Sequence, residues 1–573
     1  MLFFNSVGLK CLKVGSRSMD EKLTKKTEIS MEERENLMVS GSAWMTAGSF
    51  ISRLLGAFYI IPWMAWIGSP EVGAKAHALY QVAYVPYAFF VSFAAAGVPS
   101  AISKEVSYYN ALGKFDISKR IYKQGLYLMA ATGVFSAIAL YILAPWFTGP
   151  ISNKPAAIQV IRSLAPALLI IPLQAATRGF IQGHNRMKEP AVSQMIEQLA
   201  RVAFILGSVY VLRQLLSGDV QTAVTYSTFA AFVGAIFSII YLLLIMKKIP
   251  TALDYDEVDD ESTAFDKVES RIVFFNIIKT AIPFIVIATG ITIFQLIDQF
   301  TYGPLMNHFS SLTEAEIQLT FGVVSANGYK LSTLLTSFGA SMAITTVPLI
   351  SDLVATGNYQ EVRRQFEKGI QLLLFVMFPG ALGMIAVAKP LYTIFFGPFA
   401  MGSLVTQLYA VVCVCMAMYL LLGNILQSVN QRRRGVYALI IGFVAKLVAQ
   451  PIAIYFTGAY GMLWSTIIGL LVTIILMFRI MHDTVPYSRK FLMRRALFLL
   501  ILATIMFVVA YLVQLSLGFV LNYDRRLQAL IGLLIVAAVG GIVYTYLVLK
   551  TKMADRLLGE RAAHLRQKLN IHA

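Results

Sequence analysis

The sequence predicts an all-α polytopic membrane protein with about 14 transmembrane helices, and three observations carry that reading. The 573 residues are 57% hydrophobic and only 14% charged, where soluble domains run near about 25% charged. Mean hydropathy is +0.68, and apolar runs long enough to cross a hydrocarbon core recur along the whole chain. The basic residues alternate from loop to loop, as they do in helical membrane proteins.

The apolar segments lie near 40–67, 77–103, 121–147, 157–183, 190–213, 222–246, 272–303, 321–352, 366–396, 402–429, 435–457, 460–481, 496–518 and 526–550. Loops after even-numbered spans hold 22 basic residues, among them Lys104, Lys119 and Arg120 after span two and Arg432, Arg433 and Arg434 after span ten. Loops after odd-numbered spans hold five: Lys75, Lys154, Arg213, Arg525 and Arg526. A wrong span count would scramble this alternation. The even loops and both tails are therefore expected to face the cytoplasm. The same distribution explains the net charge of +18 without a nucleic-acid partner.

The expected organisation follows: a basic cytoplasmic tail (1–38), a first lobe of spans one to six (39–248) and an acidic cytoplasmic linker (249–270). A second lobe of spans seven to twelve (271–482), spans thirteen and fourteen (483–551) and a basic cytoplasmic tail (552–573) complete it. The linker carries the acidic block "DYDEVDDESTAFDKVES" (254–270), a solvated connector by composition. The N-terminal "MLFFNSVGL" is too short for a signal-peptide core, and Met19 and Met31 are alternative starts. Cys11, Cys413 and Cys415 have no metal-site spacing and read as unpaired packing residues.

The two lobes look duplicated. "GKFDISKRIYKQGL" (113–126) matches "GNYQEVRRQFEKGI" (357–370) at an offset of 244. "IQGHNRMKEPAVSQMIEQLARV" (181–202) matches "LQSVNQRRRGVYALIIGFVAKL" (426–447) at 245, and Val98-Pro99 recurs as Val347-Pro348. These matches fall largely in polar loops, where apolar low complexity does not explain them. Six spans per repeat is even, so both halves enter the membrane in one direction. That is the parallel-repeat arrangement of transporters, with a site between the halves.

Ionisable residues inside spans are costly and are functional candidates. Lys104 and Arg178 lie near cytoplasmic ends, from where long side chains reach water. Arg53, in "SFISRLLGAF" (49–58), lies roughly 20 Å deep in span one at about 1.5 Å per residue. Arg201 and Lys446 are deep in spans five and eleven and are repeat mates. Lys279 and Lys330 lie in spans seven and eight. Two acids accompany them. Glu197 stands four residues before Arg201 on one helix face, and Asp298 falls 245 after Arg53, a candidate pseudo-symmetric partner. Cations outnumber acids, so the bundle should attract an anion. Arginine's donor fork suits phosphate. His77, opening span two, reads as an interfacial histidine or as part of a cavity mouth. Tyr80, Tyr84 and Tyr87 read as packing or as interface belt. There is no phosphate loop, zinc spacing or nucleophile constellation, so no enzyme, cofactor or metal is expected.

Two six-helix halves, "SFISRLLGAF", the "AAAGVPSAISKEVSYYNALGKFD" end of span two and its mate "TTVPLISDLVATGNYQEVRRQFEKG" resemble the polysaccharide-transporter branch of the MOP (MATE-like) exporter superfamily. Within it they are similar to MurJ-like lipid II flippases of the YtgP and SpoVB type from Gram-positive bacteria, over about residues 38–550. The resemblance implies a V-shaped pair of lobes in the bacterial plasma membrane. It also implies transport of an undecaprenyl-diphosphate-linked peptidoglycan precursor to the outer leaflet, and a tail groove on spans thirteen and fourteen. It implies that cavity cations hold the diphosphate. Arg53 sits at one such position and Lys330 close to another, and Arg201, Lys446, Lys279 and His77 complete the candidate substrate-binding set. Glu197 and Asp298 are the structural or coupling acids. Gram-negative members carry more arginines on the first two helices and an acid near the start of the second; here Tyr59 and His77 stand instead. Some members bind sodium through acids on helices seven and eleven, but span eleven offers Lys446, so no sodium site is expected. The implied partners are a lipid-linked anionic glycan, the bilayer and cell-wall synthesis machinery. Flipping of another lipid-linked glycan (capsule, teichoic or O-unit) shares this chemistry. A MATE-type drug exporter would favour acids for its organic cations, and a scaffold would not require intramembrane charge.

Overall fold

The computed structural model describes residues 48, 51–52, 55–95, 97–111, 115–184, 186–247, 263–558, 564 and 566–569, with the side chains of 100, 111, 263–284, 338, 340–349, 352, 355 and 558 set aside. Within these residues the protein is built from helices alone. The first group comprises α1 (Ile60–Ile67, prolonging an apolar helical stretch from Leu55), α2 (Pro70–Ala95), α3 (Val98–Ala111), α4 (Phe115–Leu143), α5 (Lys154–Ser163), α6 (Ala165–Gly183), α7 (Lys188–Val209) and α8 (Val220–Met246). The second comprises α9 (Thr263–Phe309), α10 (Glu314–Phe321), α11 (Tyr329–Ala355), α12 (Tyr359–Ala386), α13 (Ala388–Phe396), α14 (Gly402–Ser428), α15 (Arg432–Thr457) and α16 (Gly461–Thr484). Two long helices follow, α17 (Arg489–Gly518) and α18 (Arg526–Lys550), and then the short α19 (Met553–Leu558).

Every expected span from two to fourteen corresponds to described helices, while of span one chiefly Leu55–Ile67 is described, as a shorter apolar helix. Among the described residues eleven stretches are long and apolar enough to cross a membrane, and one of them, Arg432–Thr484, is two helices back to back. Local chemistry sets where helices start. Asn153, Asp219, Asn358 and Ser488 each accept a hydrogen bond from a backbone N–H three residues on, satisfying donors that an isolated helix end leaves free. Thr313 and Glu316 form a reciprocal capping box at α10.

Span two departs from its expectation as one continuous element. Helix α2 ends at Ala95, Gly97 adopts φ 81°, and α3 begins at Val98. That φ favours glycine, so the hydropathy runs on where the backbone breaks. The close of α3 on α6 also requires glycine: a Cβ on Gly179 would land on the Pro99 backbone, and one on Gly183 would press into Val106.

Each group packs mainly within itself, through α7 on α8 and α4 on α6 in the first, and α15 on α16 and α11 on α14 in the second. Helices α17 and α18 pack on each other, α17 against α12 and α18 against α13. The outer faces are apolar. On α15, Tyr437, Ile441, Val444, Val448, Ile452 and Tyr455 are all exposed, at the three-and-four spacing of one helix stripe. In water such a face would be a liability; in a bilayer it is the solvent-facing side. The protein is a multi-pass membrane protein.

The two groups meet at the end that carries the loops after odd-numbered spans. Gln299 of α9 donates to the Val82 carbonyl at 3.0 Å and to the Phe147 carbonyl, and Gln318 donates to the Lys75 carbonyl at 3.4 Å. Between α10 and α11 the chain runs through a π-helical segment, Gly322–Gly328. There α2 comes so near that a Cβ on Gly322 would overlap the Ala74 carbonyl.

Candidate functional site

A cavity of about 420 Å³ lies between the two groups, walled by α1, α2 and α7 on one side and by α9, α11 and α14 on the other. Arg201 and Lys330 both line it, and none of its described lining residues is an acid.

Arg201 reaches the cavity from α7 because of what lies behind it. Gly234 lets α8 press onto α7: a Cβ there would fall 2.7 Å from the Glu197 carbonyl oxygen and 3.2 Å from Arg201 Cβ. One side of the Arg201 guanidinium is held by Glu197, Nη2 to Oε1 at 3.5 Å. Its Nε is buried and has no hydrogen-bond partner among the described residues. The shorter bond to Glu197 comes from Arg178, at 2.8 Å to Oε2. Arg178 also donates to Ser193 Oγ at 2.8 Å and Ser238 Oγ at 3.1 Å, and Gln174 donates to the same Glu197 oxygen. The reading of Arg178 as a residue reaching for the membrane surface is therefore corrected. It is 16% exposed and anchors the buried carboxylate, which needs a partner inside a low-dielectric bundle.

Lys330 enters from the first turn of α11, just past the π-helical segment. Its ammonium stands 4.7 Å from the centroid of the Tyr59 ring, a cation–π arrangement. Among the described residues no carboxylate pairs with it. His77 is 3% exposed, so it is not an interfacial residue. Its Nδ1 shares a 2.6 Å hydrogen bond with Asn327 Oδ1 across the two groups, and Asn327 Nδ2 donates to Tyr392 OH at 2.8 Å. The ring also lines the cavity.

Two of the expected site residues cannot be placed. Arg53 lies outside the described residues, although its near neighbours Ser52 and Gly56 line the cavity. Lys279 lies in α9 with its side chain outside the described set. Lys446 and Asp298 are placed together, away from the lining. Lys446 Nζ donates to Asp298 Oδ2 at 2.7 Å and to Thr466 Oγ1 at 2.7 Å, and Gln450 donates to Asp298 Oδ1 at 3.0 Å. Lys446 is 0% exposed. Asp298 is thus the ion-pair partner of Lys446, and the fully buried ammonium of Lys446 is neutralised where it stands; the expected repeat relation of Asp298 to Arg53 falls on a residue outside the described set. Among the described residues no three His, Cys, Asp or Glu side chains gather closely enough to hold a metal ion.

Sequence reasoning passed over part of the wall. Tyr80 and Tyr84, taken as packing or belt, line the cavity, their rings stacked at 5.8 Å. Gln81 lines it too, and its Nε2 is buried without a partner among the described residues. The signal was present: His77, Tyr80, Gln81 and Tyr84 are spaced i, i+3, i+4, i+7, a polar stripe on one face of an apolar helix.

An all-helical membrane-embedded bundle of two groups around a cavity of about 420 Å³ that carries Arg201 and Lys330 defines a membrane transporter. A family model described as "Polysaccharide biosynthesis protein" matches residues 38–354, and one described as "MatE" matches residues 322–452. The lipid II flippase MurJ of Bacillus subtilis (strain 168) is 31% identical over 537 residues, covering 91% of this chain and 97% of the relative. Stage V sporulation protein B of the same organism is 24% identical over 212 residues, covering 36% and 39%. Among solved structures, a lipid II flippase MurJ in an inward closed conformation superposes with a TM-score of 0.59 at 17% identity, covering 90% of this chain and 99% of that one. A eukaryotic MATE transporter superposes at 0.56 and 12% identity, covering 81% and 98%. The chain belongs to the polysaccharide biosynthesis protein family, in its MurJ branch within the MOP superfamily of transporters.

Proposed function

We propose that this protein is a flippase that moves lipid II, the undecaprenyl-diphosphate-linked peptidoglycan precursor, from the inner to the outer leaflet by alternating access. One observation carries the reading: the described lining of the cavity offers unmatched donors and no acid. Arg201 Nε, Gln81 Nε2 and the Lys330 ammonium are donors lacking a hydrogen-bond acceptor or a carboxylate among the described residues. Such donors are costly unless a ligand supplies acceptors. A diphosphate does so, and a cationic wet cavity replaces the hydration that its headgroup would lose in hydrocarbon. A cavity without acids also disfavours organic cations as cargo.

The likeness to the B. subtilis flippase supports lipid II over other carrier-linked glycans. Arg53, Arg201 and Lys330 are the diphosphate ligands in this reading, with His77 and Asn327 bridging the two groups. Glu197 is a structural acid, and the Lys446–Asp298 pair holds the second group together. The two groups are the two rocking lobes, residues 39–248 and 271–482. The tails and the acidic linker face the cytoplasm, and cell-wall synthesis enzymes receive the product.

The test is flipping of fluorescent lipid II in proteoliposomes, with a different undecaprenyl-diphosphate glycan as competitor. Wild type is expected to flip lipid II with little competition, and Arg53→Ala to lose activity at normal expression. Strong competition would shift the glycan assignment. Full activity in Arg53→Ala would remove that residue from the site.

A further inference from the structure

A second basic groove, of about 400 Å³, lies far from the cavity, where the first turns of α12 and α17 meet α19. Three of its lining cations, Lys368, Arg495 and Arg556, have no carboxylate partner among the described residues. Two acids, Glu361 and Glu367, also line the groove, and both are taken by other partners, as is Asp555 beside it. Glu361 holds Arg364 at 3.7 Å and accepts from Gln365 Nε2 at 2.7 Å. Glu367 holds Arg363 at 3.1 Å and accepts from the Ser488 backbone N–H at 3.2 Å. Asp555 is taken by Arg566 at 2.8 Å. Arg495 itself packs its guanidinium 5.4 Å from the Phe491 ring centroid and, among the described residues, donates to the Met553 thioether at 3.2 Å, a weak acceptor.

The groove sits at the membrane-surface end of spans, not in their middle. It lies between loops after even-numbered spans, the strongly basic side of the protein. The groove's apolar lining is Phe491, Met553 and Leu557, and next to it α12, α17 and α18 pack through Phe375, Phe378, Phe498 and Leu502. Phe498 is one helical turn further along α17 than Arg495. A cationic rim leading onto an apolar wall at headgroup depth is complementary to an anionic amphiphile.

We propose that this groove binds the phosphodiester headgroup of an anionic membrane phospholipid, with Lys368, Arg495 and Arg556 as its ligands and the acyl chains along α12 and α17. Binding there would join the second repeat to α17 and to the terminal helix α19. It is independent of what the central cavity carries.

The experiment uses the full chain in nanodiscs of phosphatidylcholine, titrated with phosphatidylglycerol, and reads the thermal unfolding midpoint. Wild type is expected to gain stability with phosphatidylglycerol. Arg495→Ala with Arg556→Ala should match wild type in phosphatidylcholine alone. Its half-saturation point should rise about fivefold for each basic side chain removed. If that pair unfolds without phosphatidylglycerol, Lys368→Gln with Arg556→Gln, both exposed side chains, makes the same test. An unchanged titration in the folded variant overturns the proposal. Soluble glycerol phosphate is the second arm: no stabilisation supports a lipid ligand, and stabilisation equal to the lipid's would make the groove a free-phosphate site and overturn the lipid assignment.

Discussion

Lys330→Met removes the one ammonium among the cavity's described lining residues while keeping most of the side chain's volume. Lys330 contacts the Tyr59 face and holds no carboxylate among the described residues, so the change strands no buried acid. The fold should tolerate it, with a thermal midpoint at or above wild type. A unit charge about 4 Å from a phosphate oxygen interacts by at most about 4 kcal/mol at an effective dielectric of about 20. Part of that is lost to desolvation, and hydrogen bonds to charged groups contribute about 1.5–3 kcal/mol net. The expected loss in lipid II affinity is therefore about 10- to 150-fold. Arg201 remains, so binding weakens without vanishing. The assay is lipid II binding in nanodiscs alongside the initial flipping rate at varied substrate density. Lys330→Arg should retain most of both, because it keeps the charge. Wild-type affinity in Lys330→Met would refute the assignment of charge to substrate binding. Equal losses in the Met and Arg variants would mean that shape, not charge, is read at this position.

Three further outcomes are expected. Arg178→Met leaves Glu197 with Arg201 at 3.5 Å as its remaining cation, a loss of about 3–5 kcal/mol by the usual cost of breaking a buried pair; an unchanged melting midpoint would contradict that anchoring role. Asp298→Leu alone should destabilise the protein by leaving the Lys446 ammonium unpaired, and adding Lys446→Met should recover most of the loss, since apolar replacement of a whole buried pair is often neutral. If the double variant melts lower than the single one, the pair does more than neutralise itself. Gly322→Val pushes α2 off the π-helical segment, so cysteines placed at Lys75 and Gln318, which hydrogen-bond at 3.4 Å, should crosslink less than in the parent; equal crosslinking would show that the approach of α2 there does not set this closure.

Hydropathy and loop charge are local properties, and they made spans two to fourteen legible. The break at Gly97 escaped because hydropathy runs across it while a single backbone angle does not show in composition. Arg178 was misplaced for a related reason: depth along a helix was readable, but the side toward which the helix turns was not. The pairing of Lys446 with Asp298 joins residues 148 positions apart, and only packing brings them together. Arg201 and Lys330 were legible because charge inside an apolar run is rare. The tyrosines were not, because the same residue serves equally in packing, at the interface and on a cavity wall.

The π-helical segment before Lys330 carries a consequence for helix phase. Such a segment holds an extra residue relative to regular α-helix, and each α-helical residue advances the side-chain direction by about 100°. Were Gly322–Gly328 to tighten into regular α-helix, everything beyond it would rotate by about that angle. Lys330 would swing off the cavity wall, and Asn327 would leave His77. The aim of the cation and the bridge between the two halves are thus set by one local winding number, and a change of a single residue's worth of twist would alter both together.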